Sequence, residues 1–339
     1  MPTTYRIAAV QAEPVWLDAD ATVEKTIGLI EEAAAQDVAL VAFPETWIPG
    51  YPLFLWLGAV AGQMPYIARY HANSPTVDGK HLTAIRQAAR RTGVTLALGY
   101  SEKDHGSLYM AQSLIAPDGD VLLHRRKLKP THVERSLFGE SDGSHLKVVD
   151  TPLGRLGALN CWEHLQPLTK YALYAQHEQV HVAAWPAFGL YKGLAYALGA
   201  EANMAVTQTY ALEGGCFVIA PTQVISERGI ETFATTDEQR ALLTPGAGSS
   251  RIFGPDGTPL GKPLDEQAEG LIVADIDLSV IDLAKNAADP AGHYAKTDAT
   301  RLLHDDRPKS AVVRPGQAIG PHFPDLPDLD EPLADDVVS

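Results

Sequence analysis

Residues 38–43 read Val-Ala-Leu-Val-Ala-Phe, an apolar run without a break. A strand with one wet face alternates polar and apolar side chains, so an unbroken run marks a strand covered on both faces. A chain that contains one must supply a packed layer on either side of it, which restricts the fold to stacked layers of sheet and helix. The run ends at Pro44-Glu45, leaving a carboxylate at the tip of a buried strand. Two further strand-like runs end the same way: residues 121–127 on Lys127, and residues 157–161 on Cys161.

The remaining elements fit around these runs. Val23, Ile27, Ile30 and Ala34 recur at helical spacing within 21–36, and helices are also expected at 66–72, 79–92, 166–176 and 196–213. Further strands are expected at 5–11, 95–102, 108–115, 146–150, 180–184, 216–220, 250–253 and 270–276, with Asp118-Gly119 and Asp256-Gly257 as turns. Strand–helix–strand units alternate with hairpins. That order predicts an α/β fold whose sheets mix parallel and antiparallel pairs, with helices outside and enough strands for two facing sheets. No linker divides residues 1–300, so a single domain is expected there, followed by an extension over 301–339. From 321 onward the extension holds six acidic residues, no Lys or Arg, and interleaved prolines, a composition expected to be disordered. Residues 46–65 form a long loop rich in Trp, Pro, Tyr and Leu, and loops of that size are more often functional than idle. Residues 226–244 are mostly polar and read as a surface excursion.

The formal net charge is −15 and no basic stripe stands out, which excludes a protein that binds nucleic acid by neutralising phosphates. The longest apolar stretch, 53–62, is too short to span a bilayer, and no basic and apolar leader precedes the first strand. Two cysteines, Cys161 and Cys216, make a poor disulfide framework for 339 residues, so a reduced, cytoplasmic setting is expected. Cys216 opens the apolar run Cys-Phe-Val-Ile and reads as core. His124, His132, His145 and His164 lack the paired spacing with cysteine of a zinc site, so no metal is expected.

In α/β sheets, ligands gather at the carboxyl ends of strands, where Glu45, Lys127 and Cys161 all fall. A carboxylate there can take a thiol proton, the thiolate can attack an electrophilic carbon, and an ammonium can stabilise the charge that develops. A helix starting just beyond Cys161 favours a thiolate through its N-terminal N–H groups. The competing reading is a buried Glu–Lys pair beside an unrelated core thiol. Local sequence leaves both open.

Longer motifs decide between them. Phe43-Pro44-Glu45-Thr46-Trp47-Ile48-Pro49-Gly50-Tyr51-Pro52, Arg125-Arg126-Lys127-Leu128-Lys129-Pro130-Thr131-His132-Val133-Glu134-Arg135 and Cys161-Trp162-Glu163-His164 resemble the nitrilase branch of the nitrilase (carbon-nitrogen hydrolase) superfamily. The likeness continues through Ala183-Ala184-Trp185-Pro186 and Asp289-Pro290-Ala291-Gly292-His293-Tyr294, and so covers nearly the whole chain up to the tail. It implies a four-layer α-β-β-α sandwich and a catalytic Glu45, Lys127 and Cys161, with Lys127 rather than Lys129 following the motif arginine. Glu134 matches a second glutamate near the nucleophile; it is expected to hold Lys127 charged and line the pocket, against a plain ion pair with Arg135 or Lys127.

Cys-Trp-Glu is typical of nitrilases rather than of the superfamily's amidases. Trp162, through its backbone N–H, with Glu163 and His164 is expected to stabilise charge and orient the nucleophile's loop. The run Cys-Trp-Glu-His-Leu-Gln-Pro-Leu, with Tyr171 beyond it, is similar to bacterial enzymes acting on aromatic or arylacetonitriles. The resemblance implies hydrolysis of a small-molecule nitrile to acid and ammonia through a cysteine thioimidate and thioester, without a cofactor, and self-association into dimers that extend into spirals or filaments. An aliphatic nitrilase, a cyanide-hydrolysing relative, an amidase and an inactive assembly module are the alternatives. Tyr51, Trp56, Trp185, Pro186 and Phe188 are expected to line an apolar substrate pocket, with ordinary packing the competing role for Trp56 and Phe188. A structural role is expected for His293. Asn160 departs from close relatives, which often carry a second cysteine or a small residue there. On a strand its side chain points away from that of Cys161, so any influence falls on the acid-to-amide ratio rather than on direct chemistry.

Overall fold

The computed structural model describes residues 3–309 and residue 312. The first sheet is built from β1 (Thr4–Ala12), β2 (Val38–Ala42), β3 (Thr95–Asp104), β4 (Ser107–Ile115) and β5 (Val121–Arg126). The second takes β6 (Val149–Thr151), β7 (Gly154–Asn160), β8 (Val180–Ala184) and β9 (Phe217–Ala220). The chain returns to the first sheet with β10 (Thr222–Gln223), completes the second with β11 (Arg251–Phe253) and β12 (Pro259–Leu260), and lays β13 (Gly270–Asp277) antiparallel along β1. The neighbour orders are β10-β1-β2-β3-β4-β5 and β12-β11-β9-β8-β7-β6. β1–β2–β3 and β7–β8–β9 pair in parallel while hairpins supply antiparallel pairs, so both sheets are mixed, as the order of elements predicts.

The two-residue period of each strand sorts side chains into layers. Ile7 and Ala9 of β1 and Leu40 and Ala42 of β2 meet Leu156 and Ala158 of β7 and Val180 and Val182 of β8 between the sheets. Ala8, Val10 and Val41 face the other way, in a cluster with residues of α1 (Ala19–Ala35) and of the helix Lys80–Thr92, which follows α2 (Met64–Ala72) and is α3. Leu159, Ala183 and Val218 turn outward from the second sheet onto α4 (Pro167–Tyr174) and α5 (Ala200–Gly214). The result is the expected α-β-β-α stack. Local chemistry sets the helix ends: the Asp18 side chain accepts the Ala21 N–H at 3.0 Å, and Pro167 opens α4 where a missing N–H costs nothing.

Several boundaries differ from expectation. β7 ends at Asn160, so Cys161 is not on a strand; it opens a five-residue 3-10 turn, Cys161–Leu165, that separates it from α4. The expected helix over 196–213 is split, because Gly199 is extended between a 3-10 turn at Tyr196–Leu198 and α5. The polar stretch 226–244 is anchored rather than loose. It forms α6 (Glu227–Phe233) and α7 (Asp237–Arg240), and Phe233 packs edge-on to Trp16 with ring centres 5.4 Å apart, which explains how a few apolar residues in a polar background can dock a segment. A last helix, α8 (Val280–Ala287), follows β13. The start of the extension lies against the 142–143 turn, where His304 Nε2 stands 3.1 Å from the Gly143 carbonyl oxygen; the segment from 321, expected to be disordered, lies outside the described residues. His293 is exposed. Among the described residues no helix is long and apolar enough to cross a membrane.

Candidate active site

Strand ends bring the three expected side chains together. Glu45 follows β2 by three residues, while Lys127 and Cys161 directly follow β5 and β7. Glu45 is held at the tip by its own backbone: its N–H donates to the Trp185 carbonyl at 3.4 Å, and its carbonyl accepts from Gln223 Nε2 at 2.7 Å. Gly99 on β3 leaves room for this turn, since a Cβ there would stand 2.1 Å from the Pro44 carbonyl oxygen.

The Lys127 ammonium sits between two carboxylates, donating to Glu45 Oε1 at 2.9 Å and to Glu134 Oε2 at 2.8 Å. Glu134 also accepts the Tyr51 hydroxyl at 2.9 Å and the Thr131 N–H at 2.6 Å. Glu45 Oε2 is buried and has no hydrogen-bond partner among the described residues. One donor atom each of Glu45, Glu134 and Cys161 lies within 4.8 Å of the other two, close enough to share a cation, and the ammonium already fills that place.

Burial and charge act against each other here. Burial raises the Cys161 thiol well above its ordinary value and Glu45 adds to this, while Lys127 and the neighbouring Trp162 N–H pull the other way. Burial also raises the Glu45 carboxyl, with Lys127 opposing. For Lys127 burial favours the neutral amine, but Glu134 and Glu45 outweigh it and hold the ammonium well above its ordinary range. Burial thus pushes both the thiol and the Glu45 carboxyl toward their protonated forms. Passing the proton from Cys161 to Glu45 leaves the net charge of the pocket unchanged, whereas losing it to water would add a buried negative charge.

The nucleophile's turn is strained and clamped. Cys161 has φ +47°, a left-handed conformation that costs a non-glycine residue about 1–2 kcal/mol. Glu163 holds the turn: one oxygen accepts the Asn160 N–H at 2.8 Å and the other accepts the Leu128 N–H at 2.9 Å. Arg125, fully buried, grips the same carboxylate and donates to Gln112 Oε1 at 2.6 Å. Burial works to raise Glu163, but Arg125 and the two N–H groups outweigh it and keep it ionised. His164 stands 2.7 Å from the Cys161 carbonyl oxygen. The helical start expected beside the nucleophile is the 3-10 turn that Cys161 itself opens, with α4 following from Pro167.

Tyr51, Trp56, Trp185, Pro186 and Phe188 line one cavity with Cys161, with about 40 Å³ of free volume. Asn203, Leu190 and Leu198 also line it, none of them singled out by sequence reasoning. Asn203 accepts the Trp162 indole N–H at 2.8 Å and donates to the Gly199 carbonyl at 2.8 Å, tying the cavity wall to α5. Its only sequence signal is a lone asparagine within a helix. Asn160 continues the parity of Leu156 and Ala158 into the layer between the sheets and is fully buried, and neither of its amide atoms has a hydrogen-bond partner among the described residues.

The family model for carbon-nitrogen hydrolases matches residues 6–286. The chain is 53% identical over 329 residues to a nitrilase of Pseudomonas syringae pv. syringae, covering 97% of this chain and 95% of that one. It is 52% identical to an aliphatic nitrilase of Rhodococcus rhodochrous, covering 91% and 85%, and 51% identical to an arylacetone-specific nitrilase of Alcaligenes faecalis, covering 88% and 84%. Among solved structures, the C. elegans NitFhit protein superposes with a TM-score of 0.68 at 21% identity, covering 92% of this chain and 70% of that one, a likeness of fold alone.

Proposed function

The chain belongs to the carbon-nitrogen hydrolase family, and from that premise we propose that it is a nitrilase that converts an organic nitrile and two waters into a carboxylic acid and ammonia. The observation that carries this reading is the buried thiol of Cys161 within 4.8 Å of two carboxylates that share one ammonium. Glu45 takes the thiol proton as Sγ attacks the nitrile carbon. The Lys127 ammonium and the Trp162 N–H stabilise the charge developing on nitrogen, and Glu45 passes the thiol proton to that nitrogen, which gives a thioimidate and restores the carboxylate. Glu45 then draws a proton from a water that adds to the carbon, and the nitrogen leaves as ammonia, giving a thioester. A second water attacks in the same way, returning the thiol and releasing the acid. Glu134 keeps Lys127 charged and placed, and Glu163 and His164 hold the turn. These roles need no metal and no organic cofactor.

The aromatic lining supports an aromatic or arylacetonitrile substrate. A preference for slender aliphatic nitriles is the second reading, favoured by a cavity of about 40 Å³, room for only a water or two. A panel of aliphatic, aromatic and arylacetonitriles, scored for both acid and amide, decides between them, and ammonia release from phenylacetonitrile but not from phenylacetamide or cyanide separates a nitrilase from its amidase and cyanide-hydrolysing relatives. Unchanged turnover in a folded Cys161→Ala variant would end the whole reading. The proposal extends to a homo-oligomer in the cytoplasm. It is supported by exposed Leu165, Leu168 and Leu212 around α4 and α5, and by two free cysteines. A light-scattering mass of one chain would refute the oligomer.

A further inference from the structure

Behind the nucleophile lies a buried polar chain that the reaction above does not use. His164 Nδ1 is 2.7 Å from the Cys161 carbonyl oxygen, and His164 Nε2 is 2.9 Å from His181 Nε2. His181 Nδ1 is 2.8 Å from Glu178 Oε1, and the Tyr210 hydroxyl donates to Glu178 Oε2 at 2.6 Å. Glu178, His164, His181 and Tyr210 are each no more than 1% exposed. The layer is shaped around them: His181 and Tyr210 stack with ring centres 3.8 Å apart, and a Cβ at Gly157 would fall 2.0 Å from Glu178 Oε1. A glycine in mid-strand is otherwise a cost, so its place here fits the close approach of that carboxyl.

The donors can be assigned by elimination. A carbonyl oxygen only accepts, so His164 Nδ1 carries a proton. Burial drives both histidines well below the ordinary imidazole range, and His164 is therefore neutral with Nε2 as an acceptor. His181 Nε2 must then be the donor. Neutral His181 accepts at Nδ1, which leaves Glu178 to donate there as a carboxylic acid. Burial raises the Glu178 carboxyl to about 8, against the lowering effect of the Tyr210 hydrogen bond and Lys285. The donors thus run one way, from Tyr210 through Glu178, His181 and His164 to the Cys161 carbonyl.

We propose that Glu178, His181 and Tyr210 are positioning residues for the nucleophile, fixing His164 as the Nδ1–H tautomer and through it the peptide between Cys161 and Trp162. That peptide is planar, so holding its carbonyl on one side aims the Trp162 N–H to the other. The inference rests on Cys161 acting as the nucleophile.

The test compares His181→Phe, which keeps a ring but frees the His164 tautomer, with Glu178→Gln, whose amide can still donate to His181 and accept from Tyr210. Nitrile turnover is measured together with the rate at which iodoacetamide alkylates Cys161. His181→Phe is expected to lower kcat by about 10-fold or more at little-changed KM and to change the alkylation rate by a similar factor. Glu178→Gln is expected to stay within about twofold of wild type in both, since the donor order survives. A folded His181→Phe variant with wild-type kcat and alkylation overturns the inference, as does a Glu178→Gln variant that loses about 10-fold in kcat. If His181→Phe does not fold, Glu178→Leu, which can neither donate to His181 nor accept from Tyr210, takes its place with the same expected losses, and wild-type kcat and alkylation in it overturn the inference. Failure of the nitrilase reading looks different, because the wild-type protein itself would then release no ammonia from any nitrile.

Discussion

The Arg125 guanidinium holds the Glu163 carboxylate with two hydrogen bonds, 2.7 and 2.9 Å long, across 38 residues of chain. Arg125 belongs to β5 in the first sheet and Glu163 to the turn that leaves β7 in the second, so the pair fixes Lys127 relative to Cys161. Removing one partner strands a buried charge. Arg125→Met or Glu163→Leu alone is expected to cost about 3–5 kcal/mol in denaturant unfolding. The double variant is expected to recover much of that stability and no activity, because leucine cannot hold the Asn160 and Leu128 N–H groups.

Lys127 stands between two carboxylates with different tasks. In Glu134→Gln the ammonium keeps one carboxylate and shifts toward Glu45, so kcat is expected to fall about 10²-fold with KM little changed. Tyr51→Phe removes only one of the hydrogen bonds to Glu134, a loss of about 0.5–1.5 kcal/mol, and is expected to cost less than about tenfold. Steady-state kinetics on a saturating nitrile separates the two variants, and equal losses would contradict their ordering.

Glu45 must be ionised to take the thiol proton, and burial raises its carboxyl above the ordinary 4.5 despite Lys127. Activity is therefore expected to disappear as pH falls through the raised value. The acid limb of kcat/KM should lie well above 4.5, toward the raised value of about 8. A limb at or below the ordinary carboxylate value would remove Glu45 from the role of base.

Stability carries a separate pH signature. Folded Glu178 keeps its proton up to about 8, whereas the unfolded chain releases it near 4.5. Between those values the unfolded state binds fewer protons, so this group's contribution to stability falls as pH rises through the window. Glu178→Gln should flatten the decline, and melting curves from acid to mildly alkaline pH would reveal it. A slope identical to wild type would mean that Glu178 is ionised in the folded chain.

Asn160 is buried, and neither amide atom has a hydrogen-bond partner among the described residues. Asn160→Ala removes an unsatisfied group and is expected to leave turnover largely intact while shifting the acid-to-amide ratio. The ratio is read by chromatography of both products. Equal ratios would show that the residue before the nucleophile has no part in partitioning.

Much of the fold was legible because buried strands write themselves as unbroken apolar runs, and a charge at the end of such a run is hard to miss. That is how Glu45, Lys127 and Cys161 stood out, and motif likeness then picked Lys127 over Lys129. What stayed hidden depends on contacts far apart in the chain. Nothing local to Arg125 announces Glu163, and nothing near His181 announces His164 or Tyr210. The positive φ of Cys161 was also invisible, since a cysteine after an apolar run looks like one more strand residue. Residues 226–244 misled for the opposite reason, as polar composition masked the few apolar side chains that dock them.

Glu45 and Lys127 ride on one sheet and Cys161 on the other, with Gln112 donating across the gap to the Leu159 carbonyl at 3.2 Å. The base and the thiol therefore meet only when both halves of the molecule are complete and docked. A nascent or damaged chain carries each group separately, and neither alone makes an activated sulfur. Reactivity is thereby a certificate of assembly: a molecule able to attack a substrate has already folded.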